Sequence, residues 1–269
     1  MDQNNQTEQV DQRKSVRENR KRDDLTYKRK KGVFSKIPAP VQALFFIAVF
    51  AGVYLFGYQF RQPAGNDYYR DMKELLKKEE PDSYKILTRT ADSPILVVSP
   101  HGGKIELYTS TISDGIAGED FNYFDFQGQI EAGSNYERLH VTATHYNAPQ
   151  LQELNSKAKV TLSVHGVAND DLRMTFVGGR DKVGAAKVIA ALNEAGFEAA
   201  PPPPSISGEH RRNFVNQNAS KAGIQLEITT AQRRALFNNW REDEPRKAFY
   251  RYVETLNKAL KAHADDQGA

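Results

Sequence analysis

Hydrophobic positions recur along the chain at two spacings, and segments of the two kinds alternate. Short apolar runs rich in β-branched residues predict buried strands at residues 94–99, 159–164, 175–178 and 224–228, with further strands at 120–126 and 139–144. Apolar residues three or four positions apart predict helices at residues 67–80, 110–116, 148–156, 181–195 and 244–262. This alternation predicts an α/β protein with a mixed central sheet and helices on both faces.

One segment before these elements is apolar enough to cross a membrane. No charged residue lies between Lys36 and Arg61, and twenty helical residues span about 30 Å, the thickness of a bilayer core. We predict a transmembrane helix at residues 38–60 that contacts membrane lipid. Basic residues at positions 28–31 and 36 predict, by the positive-inside rule, a cell-membrane protein with a cytoplasmic N-terminus and residues 61–269 outside. A cleaved signal peptide and a soluble core helix are the alternatives.

The positive charge of the chain is concentrated before this segment. Of the 37 Lys and Arg and the 34 Asp and Glu residues in the chain, residues 1–40 hold 11 and 6, respectively. Residues 1–37 are therefore predicted to be a basic, largely disordered cytoplasmic tail, and residues 61–269 an extracytoplasmic domain of nearly balanced charge. That balance argues against a nucleic-acid partner. The absence of cysteine excludes disulfides, thiolate metal sites and cysteine nucleophiles.

Three of the predicted strands end in, or contain, residues typical of metal binding and acid–base chemistry. The first runs into Pro100-His101-Gly102-Gly103, and Glu106 follows five residues after the histidine. The second runs into His165-Gly166, and the third carries Glu227 inside an apolar run. Because ligands of open α/β sheets bind at the carboxyl ends of the strands, these groups are candidates for one site.

The donor types favour a zinc site formed by His101, Glu106 and His165, with one coordination position left open. Catalytic zinc has three protein ligands and a bound water whose pKa falls to about 7. Glu227 would then serve as a general base. Each residue also has a simpler explanation, because a strand-end histidine is a common turn residue and a glutamate in an apolar strand is commonly paired with an arginine.

The segments PHGGKIELYTS, RLHVTATHYNAP, LSVHG, FVGG and GIQLEI occur in this order. As an ordered set, they resemble the poly-γ-glutamate hydrolase family of phage and bacillar enzymes, over residues 69–234. The resemblance implies a zinc carboxypeptidase-like fold, Zn²⁺ held by His101, Glu106 and His165, and Glu227 as general base. The family's Asn-x-x-Asn element corresponds to Asn213 and Asn216, but Val215 replaces its usual cysteine and Gln217 replaces the arginine that follows.

By the same resemblance, the expected reaction is hydrolysis of the γ-glutamyl amide bonds of poly-γ-glutamate, an anionic polymer. Arg212 is the first candidate for stabilising the oxyanion or for holding a substrate carboxylate, because guanidinium groups bind carboxylates in a bidentate manner. The expected substrate contacts also include Asn213, Asn216, Arg180 and His145, and Arg138 is a weaker candidate.

Two other functions agree with the same residues. A peptidoglycan-directed zinc amidase or peptidase would use the same chemistry, because wall peptides contain γ-linked glutamate. A non-catalytic surface domain would bind anionic polymer through its arginines and would need no metal.

Overall fold

The structure, a computed structural model, describes residues 67–239 and 244–268. The predicted tail at residues 1–37 and the predicted transmembrane helix at 38–60 lie outside the described residues, so both stay predictions. Within the two described ranges, no helix combines the length and the apolar character needed to span a bilayer.

In the described part of the chain, seven strands form one mixed sheet with a parallel centre. The strands are β1 (Tyr84–Arg89), β2 (Ile95–Gly103), β3 (Asn122–Gly128), β4 (Val160–Val167), β5 (Thr175–Gly179), β6 (Ala199–Ala200) and β7 (Ile224–Thr229). They lie side by side in the order β1-β3-β2-β4-β7-β5-β6. Strands β3, β2, β4 and β7 run parallel, whereas β1 and β5 are antiparallel to β3 and β7. A separate ribbon pairs β8 (Phe237–Asn239) with β9 (Glu244–Pro245).

Helices connect the strands, and local sequence signals set several of their ends. The helices are α1 (Met72–Lys78), α2 (Thr109–Ala117), α3 (Asn135–Leu139), α4 (Pro149–Lys157), α5 (Lys182–Glu194), α6 (Thr230–Ala235) and α7 (Lys247–Asp266). Asp181 caps α5 by accepting a hydrogen bond from the backbone of Gly184, and Pro149 occupies the first turn of α4.

Both faces of the sheet are covered, because successive side chains of the central strands point into two different cores. In one core, Ile95 and Val97 of β2 pack with side chains of α2, α5 and α7. In the other core, Leu96 and Val98 pack with side chains of α1, α3 and α4. Burial on both faces explains why the parallel strands read as continuous apolar runs. The prediction of a mixed α/β sheet with helices on both faces is confirmed.

Most of the predicted elements are present with bounds shifted by a few residues. The strands predicted at 94–99, 120–126, 159–164, 175–178 and 224–228 correspond to β2, β3, β4, β5 and β7. The five predicted helices correspond to α1, α2, α4, α5 and α7. Strand β1 has no predicted counterpart, because at the edge of the sheet its residues are only half-buried or exposed.

The predicted strand at residues 139–144 is wrong. Leu139 ends α3, and residues 143–145 form a 3₁₀ turn. The alternation that suggested a strand is real, because Leu139 and Val141 are both buried. However, the Thr142 N–H donates to the Asp67 carboxylate at 2.7 Å, instead of joining a strand ladder.

Candidate metal centre and cleft

The parallel strands β2, β4 and β7 bring three of the predicted groups to one edge of the sheet. His165 on β4 and Glu227 on β7 are register partners on neighbouring strands. His101 lies near the end of β2, within an irregularity of the β2–β3 pairing between Ser99 and Gly102. Such a bulge redirects a side chain, and here the His101 and His165 rings lie 5.0 Å apart, centroid to centroid.

Two glycines allow the chain to turn directly after His101. Gly103 has φ +61°, a left-handed conformation that favours glycine. A Cβ atom on Gly102 would lie 2.1 Å from Asp125 Oδ1, so a larger residue does not fit there. The turn closes when the Glu106 N–H donates to the His101 carbonyl at 2.9 Å. It thereby returns the Glu106 carboxylate to the histidine five residues before it.

A buried carboxylate on the neighbouring strand supports this turn. Asp125 of β3 accepts hydrogen bonds from Ser110, Tyr123 and Gln127. The Ser110 hydroxyl in turn accepts a 2.9 Å hydrogen bond from the Gly103 N–H. Burial raises the pKa of Asp125, and its hydrogen bonds oppose that rise. The network ties the turn between His101 and Glu106 to the sheet.

His101, Glu106 and His165 converge on one point. The Nδ1 atom of His101 lies 3.0 Å from Glu106 Oε1 and 3.3 Å from His165 Nδ1. One donor atom from each residue lies within 4.8 Å of the other two. All three side chains are buried. The structure thus brings together the three residues that the sequence singled out as metal ligands.

Hydrogen bonds from neighbouring residues orient the metal-ligating atoms of His101 and Glu106. His101 Nε2 lies 3.0 Å from the Val141 carbonyl oxygen, which can only accept. In the neutral His101 ring, Nε2 therefore carries the proton and Nδ1 presents its lone pair. The Gly166 N–H donates to Glu106 Oε2 at 2.7 Å, which leaves Oε1 toward His101. Contacts of this kind fix the orientation of metal ligands.

The electrostatics of the three groups favour positive charge between them. Burial alone would raise the pKa of Glu106, but the neighbouring His101 lowers it to about 2, so the carboxylate is ionised. Burial, assisted by His101, lowers the pKa of His165 to about 3, so that ring is neutral. Burial would also lower the pKa of His101, yet the Glu106 carboxylate outweighs it and raises that pKa.

The side chains of His101, Glu106 and His165 are of the types that bind zinc. Catalytic zinc is commonly held by two imidazoles and one carboxylate, with a fourth position left for water. A neutral imidazole and an ionised carboxylate are also the protonation states in which these side chains bind metal. His101, Glu106 and His165 could therefore hold a zinc ion at the edge of the sheet.

Glu227 is the carboxylate that accompanies this group. It is buried, and it accepts a hydrogen bond from Gln225 Nε2 at 2.8 Å. Burial, together with the charge of Glu106, raises the pKa of Glu227 from 4.5 to about 8. A carboxyl group that titrates near neutrality is suited to proton transfer.

Gln225 is itself oriented by Asn213. The Asn213 Oδ1 atom accepts from the Val215 N–H at 3.1 Å, and its Nδ2 atom donates to Gln225 Oε1 at 2.8 Å. This pairing leaves the Gln225 amide nitrogen to donate to Glu227. The side chains of Asn213, Gln225 and Glu227 therefore form a hydrogen-bond chain of one polarity, which ends on the carboxylate.

A cleft of about 700 Å³ is lined by the three candidate metal ligands and by Asn213, Gln225 and Glu227. Leu107 and Tyr136 contribute apolar surface to it and are 46% and 53% exposed, respectively. Residues 204–210 form a further wall of the cleft. The side chain of Asn216 holds that wall in place by donating to the carbonyl oxygens of Gly208 and His210 at 2.7 and 3.1 Å.

The residues predicted to contact substrate fall into two groups. Asn213 lines the cleft, whereas Arg212, Arg180, Asn216 and His145 are not among its lining residues. The arginines at 180 and 212 are exposed on loops, and Asn216 is buried as a support of the cleft wall. The weaker candidate, Arg138, also lies outside the lining and forms an ion pair with Glu79.

Two cleft residues were not assigned a role from the sequence. The His140 ring lies 4.1 Å from that of His101, and its Nδ1 lies 2.6 Å from Asp67 Oδ1. Arg233 is buried at the same strand end that carries Glu227. The signal that could have found Arg233 is its position on α6, directly after β7. No local signal links His140 to Asp67, which lies 73 residues away in the sequence.

The family model described as poly-gamma-glutamate hydrolase matches residues 69–255, which is more than half of the chain. The chain belongs to the poly-gamma-glutamate hydrolase family. Among its relatives, the SPbeta prophage-derived UPF0714 protein YoqZ of Bacillus subtilis (strain 168) is 36% identical over 200 residues, which cover 72% of each protein. The UPF0714 protein YndL of the same organism is 31% identical over 205 residues, which cover 72% of this chain and 78% of YndL.

Solved structures extend the likeness to the fold. A bacteriophage poly-gamma-glutamate hydrolase matches with a TM-score of 0.70 at 29% identity and covers 74% of this chain and 99% of the phage protein. A structure of YndL, described as its zinc-free apo form, matches with a TM-score of 0.66 at 29% identity and covers 73% of this chain and 98% of YndL. The sequence resemblance to the poly-γ-glutamate hydrolase family is thus confirmed.

Proposed function

We propose that this protein is a zinc-dependent hydrolase that cleaves the γ-glutamyl amide bonds of poly-γ-glutamate. The observation that carries the proposal is the meeting of His101, Glu106 and His165 within 4.8 Å, in the cleft that Glu227 also lines. Family membership supports the substrate class. The description of one YndL structure as zinc-free supports zinc as the metal.

The chain's own residues would move the protons of this reaction. When bound, zinc would supply a water of lowered pKa and polarise the scissile carbonyl. Glu227 accepts a proton from the attacking water as the new C–O bond forms. It then donates that proton to the leaving nitrogen as the C–N bond breaks, which releases a free amine and a carboxylic acid. The acid then loses its own proton to solvent. Gln225, held by Asn213, keeps the Glu227 carboxylate oriented.

The cleft suits a chain that alternates methylene groups with charge. Each residue of poly-γ-glutamate contributes two methylenes to the backbone and one free carboxylate beside it. Leu107 and Tyr136 offer apolar surface to the methylenes. The polar side chains of Asn213 and Gln225 lie on the same cleft, where their hydrogen bonds hold Glu227 toward a bound chain.

We also propose that the hydrolase is held at the outer face of the cell membrane. The proposal is supported by the uncharged segment at residues 38–60 and by the basic residues that precede it. It predicts that protease added to intact cells removes a tag placed at the C-terminus and leaves a tag at the N-terminus. Protection of the C-terminal tag would contradict it.

The test of the enzymatic function uses the full chain in detergent. Purified protein is incubated with poly-γ-glutamate, and the polymer length is followed by size-exclusion chromatography with zinc, with chelator, and with zinc added back. We expect shortening in the first and third conditions alone. Shortening of purified wall peptides without any effect on poly-γ-glutamate would instead indicate a peptidoglycan hydrolase. Polymer binding without cleavage, unchanged by chelator, would indicate a binding domain.

A further inference from the structure

One arginine of the cleft is buried without an ion-pair partner. Arg233 is 6% exposed and lines the cleft. Its guanidinium donates to the carbonyl oxygens of Ile228 and Leu107 at 3.1 and 2.5 Å, and to Thr230 Oγ1 at 3.5 Å. Among the described residues, the arginines in ion pairs are Arg70, Arg89, Arg138 and Arg234, and Arg233 is not one of them.

This environment leaves N–H groups of Arg233 unused and gives its charge no directly bonded carboxylate. A guanidinium has five N–H groups, and the hydrogen bonds in the described part of the chain engage three of those of Arg233. Burying a cation without a carboxylate in direct contact is costly, because carbonyl dipoles replace its hydration only in part. The arrangement therefore favours the arrival of an anion in the cleft.

Arg233 lies beside the two turns that carry the metal-binding residues. A Cβ atom added to Gly166 would lie 2.5 Å from the Arg233 Cζ, so the guanidinium packs against the backbone that follows His165. Leu107, whose carbonyl oxygen accepts from Arg233, directly follows Glu106. An anion bound to Arg233 would therefore sit next to the reacting bond.

We propose that Arg233 binds the substrate α-carboxylate on the amine side of the scissile bond, an inference that rests on the proposed function. In a γ-linked chain, one carbon separates that carboxylate from the leaving nitrogen, whereas three carbons separate the other flanking carboxylate from the scissile carbonyl. A guanidinium next to the metal-binding residues reaches the nearer group. It also holds a carboxylate through two parallel hydrogen bonds, which fixes the direction of the chain.

The charge balance of the site agrees with this role. The carboxylates whose charge acts on Arg233 are Glu106 and Glu227. A divalent cation would neutralise both, so the charge of Arg233 would stay available for the substrate. The other arginine that borders the cleft, Arg234, is paired with Asp170 at 2.9 Å and has a half-exposed side chain. Among the described residues, Arg233 is thus the cleft guanidinium that forms no ion pair with a side chain.

The experiment measures binding without turnover. Full-length Glu227→Gln protein is loaded with zinc and titrated, by calorimetry, with a γ-linked glutamate pentamer or with the same pentamer whose α-carboxylates are converted to carboxamides. Arg233→Met is added to that background, and Arg234→Met serves as the matched control. We expect Arg233→Met to weaken binding of the free pentamer about 10- to 100-fold and to leave binding of the amidated pentamer unchanged. Arg234→Met should weaken binding of the free pentamer less than about threefold.

The outcomes separate three roles of Arg233. Equal losses for the two pentamers would show a structural role and would overturn the proposal. Unchanged binding, with a loss of kcat when Glu227 is present, would assign Arg233 to the oxyanion and would also overturn it. If Arg233→Met does not fold, Arg233→Lys keeps the charge without the planar fork, and its loss should again be confined to the free pentamer. If the wild-type protein does not cleave the polymer, the proposed function is wrong. If it cleaves the polymer but binds the free and the amidated pentamer equally well, only the inference about Arg233 is wrong.

Discussion

The Nδ1 atoms of His101 and His165 lie 3.3 Å apart, although 64 residues separate the two histidines in the sequence. Two ring nitrogens approach this closely only when a proton or a cation lies between them, because their lone pairs would otherwise repel each other. Glu106 Oε1, 3.0 Å from the first nitrogen, adds a negative charge at the same place. A divalent cation bound there would therefore stabilise the folded state as well as supply chemistry.

Zinc should raise the thermal stability of the protein. At a thousandfold excess over its Kd, a ligand of the folded state adds about 4 kcal/mol to the free energy of unfolding. We expect calorimetry to show a higher Tm with zinc than with chelator, by several degrees. His165→Ala should abolish the difference, because it removes one of three donors, whereas the exposed His210→Ala should retain it. A zinc-dependent Tm in His165→Ala would contradict the assignment of ligands.

Glu227→Gln should separate catalysis from metal binding. The amide keeps the volume of the carboxyl group but cannot accept the proton of the attacking water. We expect kcat on poly-γ-glutamate to fall by about 100- to 10,000-fold, the usual contribution of a general base. Elemental analysis should show one zinc per chain in both proteins. A variant that keeps wild-type kcat would remove Glu227 from the reaction.

The same substitution has a pH-dependent effect on the stability of the metal-free protein. Because burial and Glu106 raise the folded-state pKa of Glu227 to about 8, the folded state holds a proton that the unfolded state releases near pH 4.5. The free energy of unfolding therefore falls as pH rises from about 5 to 8, since each unit of pKa difference corresponds to about 1.4 kcal/mol. Glu227→Gln carries no titrating group, so its stability advantage over wild type should grow across this window in urea unfolding with chelator. A constant difference would contradict the raised pKa.

Gln225 should act on the rate more than on substrate affinity. Its side chain touches the Glu227 carboxylate, and a hydrogen bond to a charged group contributes about 1.5–3 kcal/mol. We expect Gln225→Leu to lower kcat about 10-fold or more with little change in KM. Since the lost bond favours the ionised form, the acidic limb of the pH–rate profile should move to higher pH. Gln217→Leu, on the exposed side of a 3₁₀ turn, is the matched control and should keep kcat within about twofold.

Gly102→Ala should damage the metal centre through packing alone. The added methyl group would lie 2.1 Å from Asp125 Oδ1 and 2.2 Å from Ser110 Oγ, so the turn that carries Glu106 must shift. Overpacking of this kind costs about 1–3 kcal/mol of stability, and zinc affinity should fall with it. Gly118→Ala is the control: it has φ +51° and no neighbour within 4 Å of the added methyl, so it should cost stability but not zinc affinity. Equal zinc affinities in the two variants would show that the turn is not packed as described.

Local patterns of apolar and polar residues were sufficient to predict most of the fold. Side-chain periodicity reports which faces of a segment are buried, and burial on both faces distinguished the parallel strands β2, β4 and β7 from the edge strand β1. The segment at 139–144 has the alternation of a strand, yet its backbone bonds to Asp67, far away in the sequence. Periodicity does not report the partner of a backbone N–H, and this is why the prediction at 139–144 is wrong.

For the candidate site, too, the sequence predicts some features and the tertiary structure decides the others. His101, Glu106, His165 and Glu227 are visible in the sequence because each lies on, or just after, an apolar strand, and parallel strands end at one edge of a sheet. The contacts that orient them are not visible, since Val141 reaches His101 across 40 residues and Leu107 reaches Arg233 across 126. The sequence alone does not show which of Arg212 and Arg233 lines the cleft. Burial against Gly166 and a hydrogen bond to the distant Leu107 carbonyl place Arg233 on the cleft, because long-range packing, and not local preference, sets the position of a side chain.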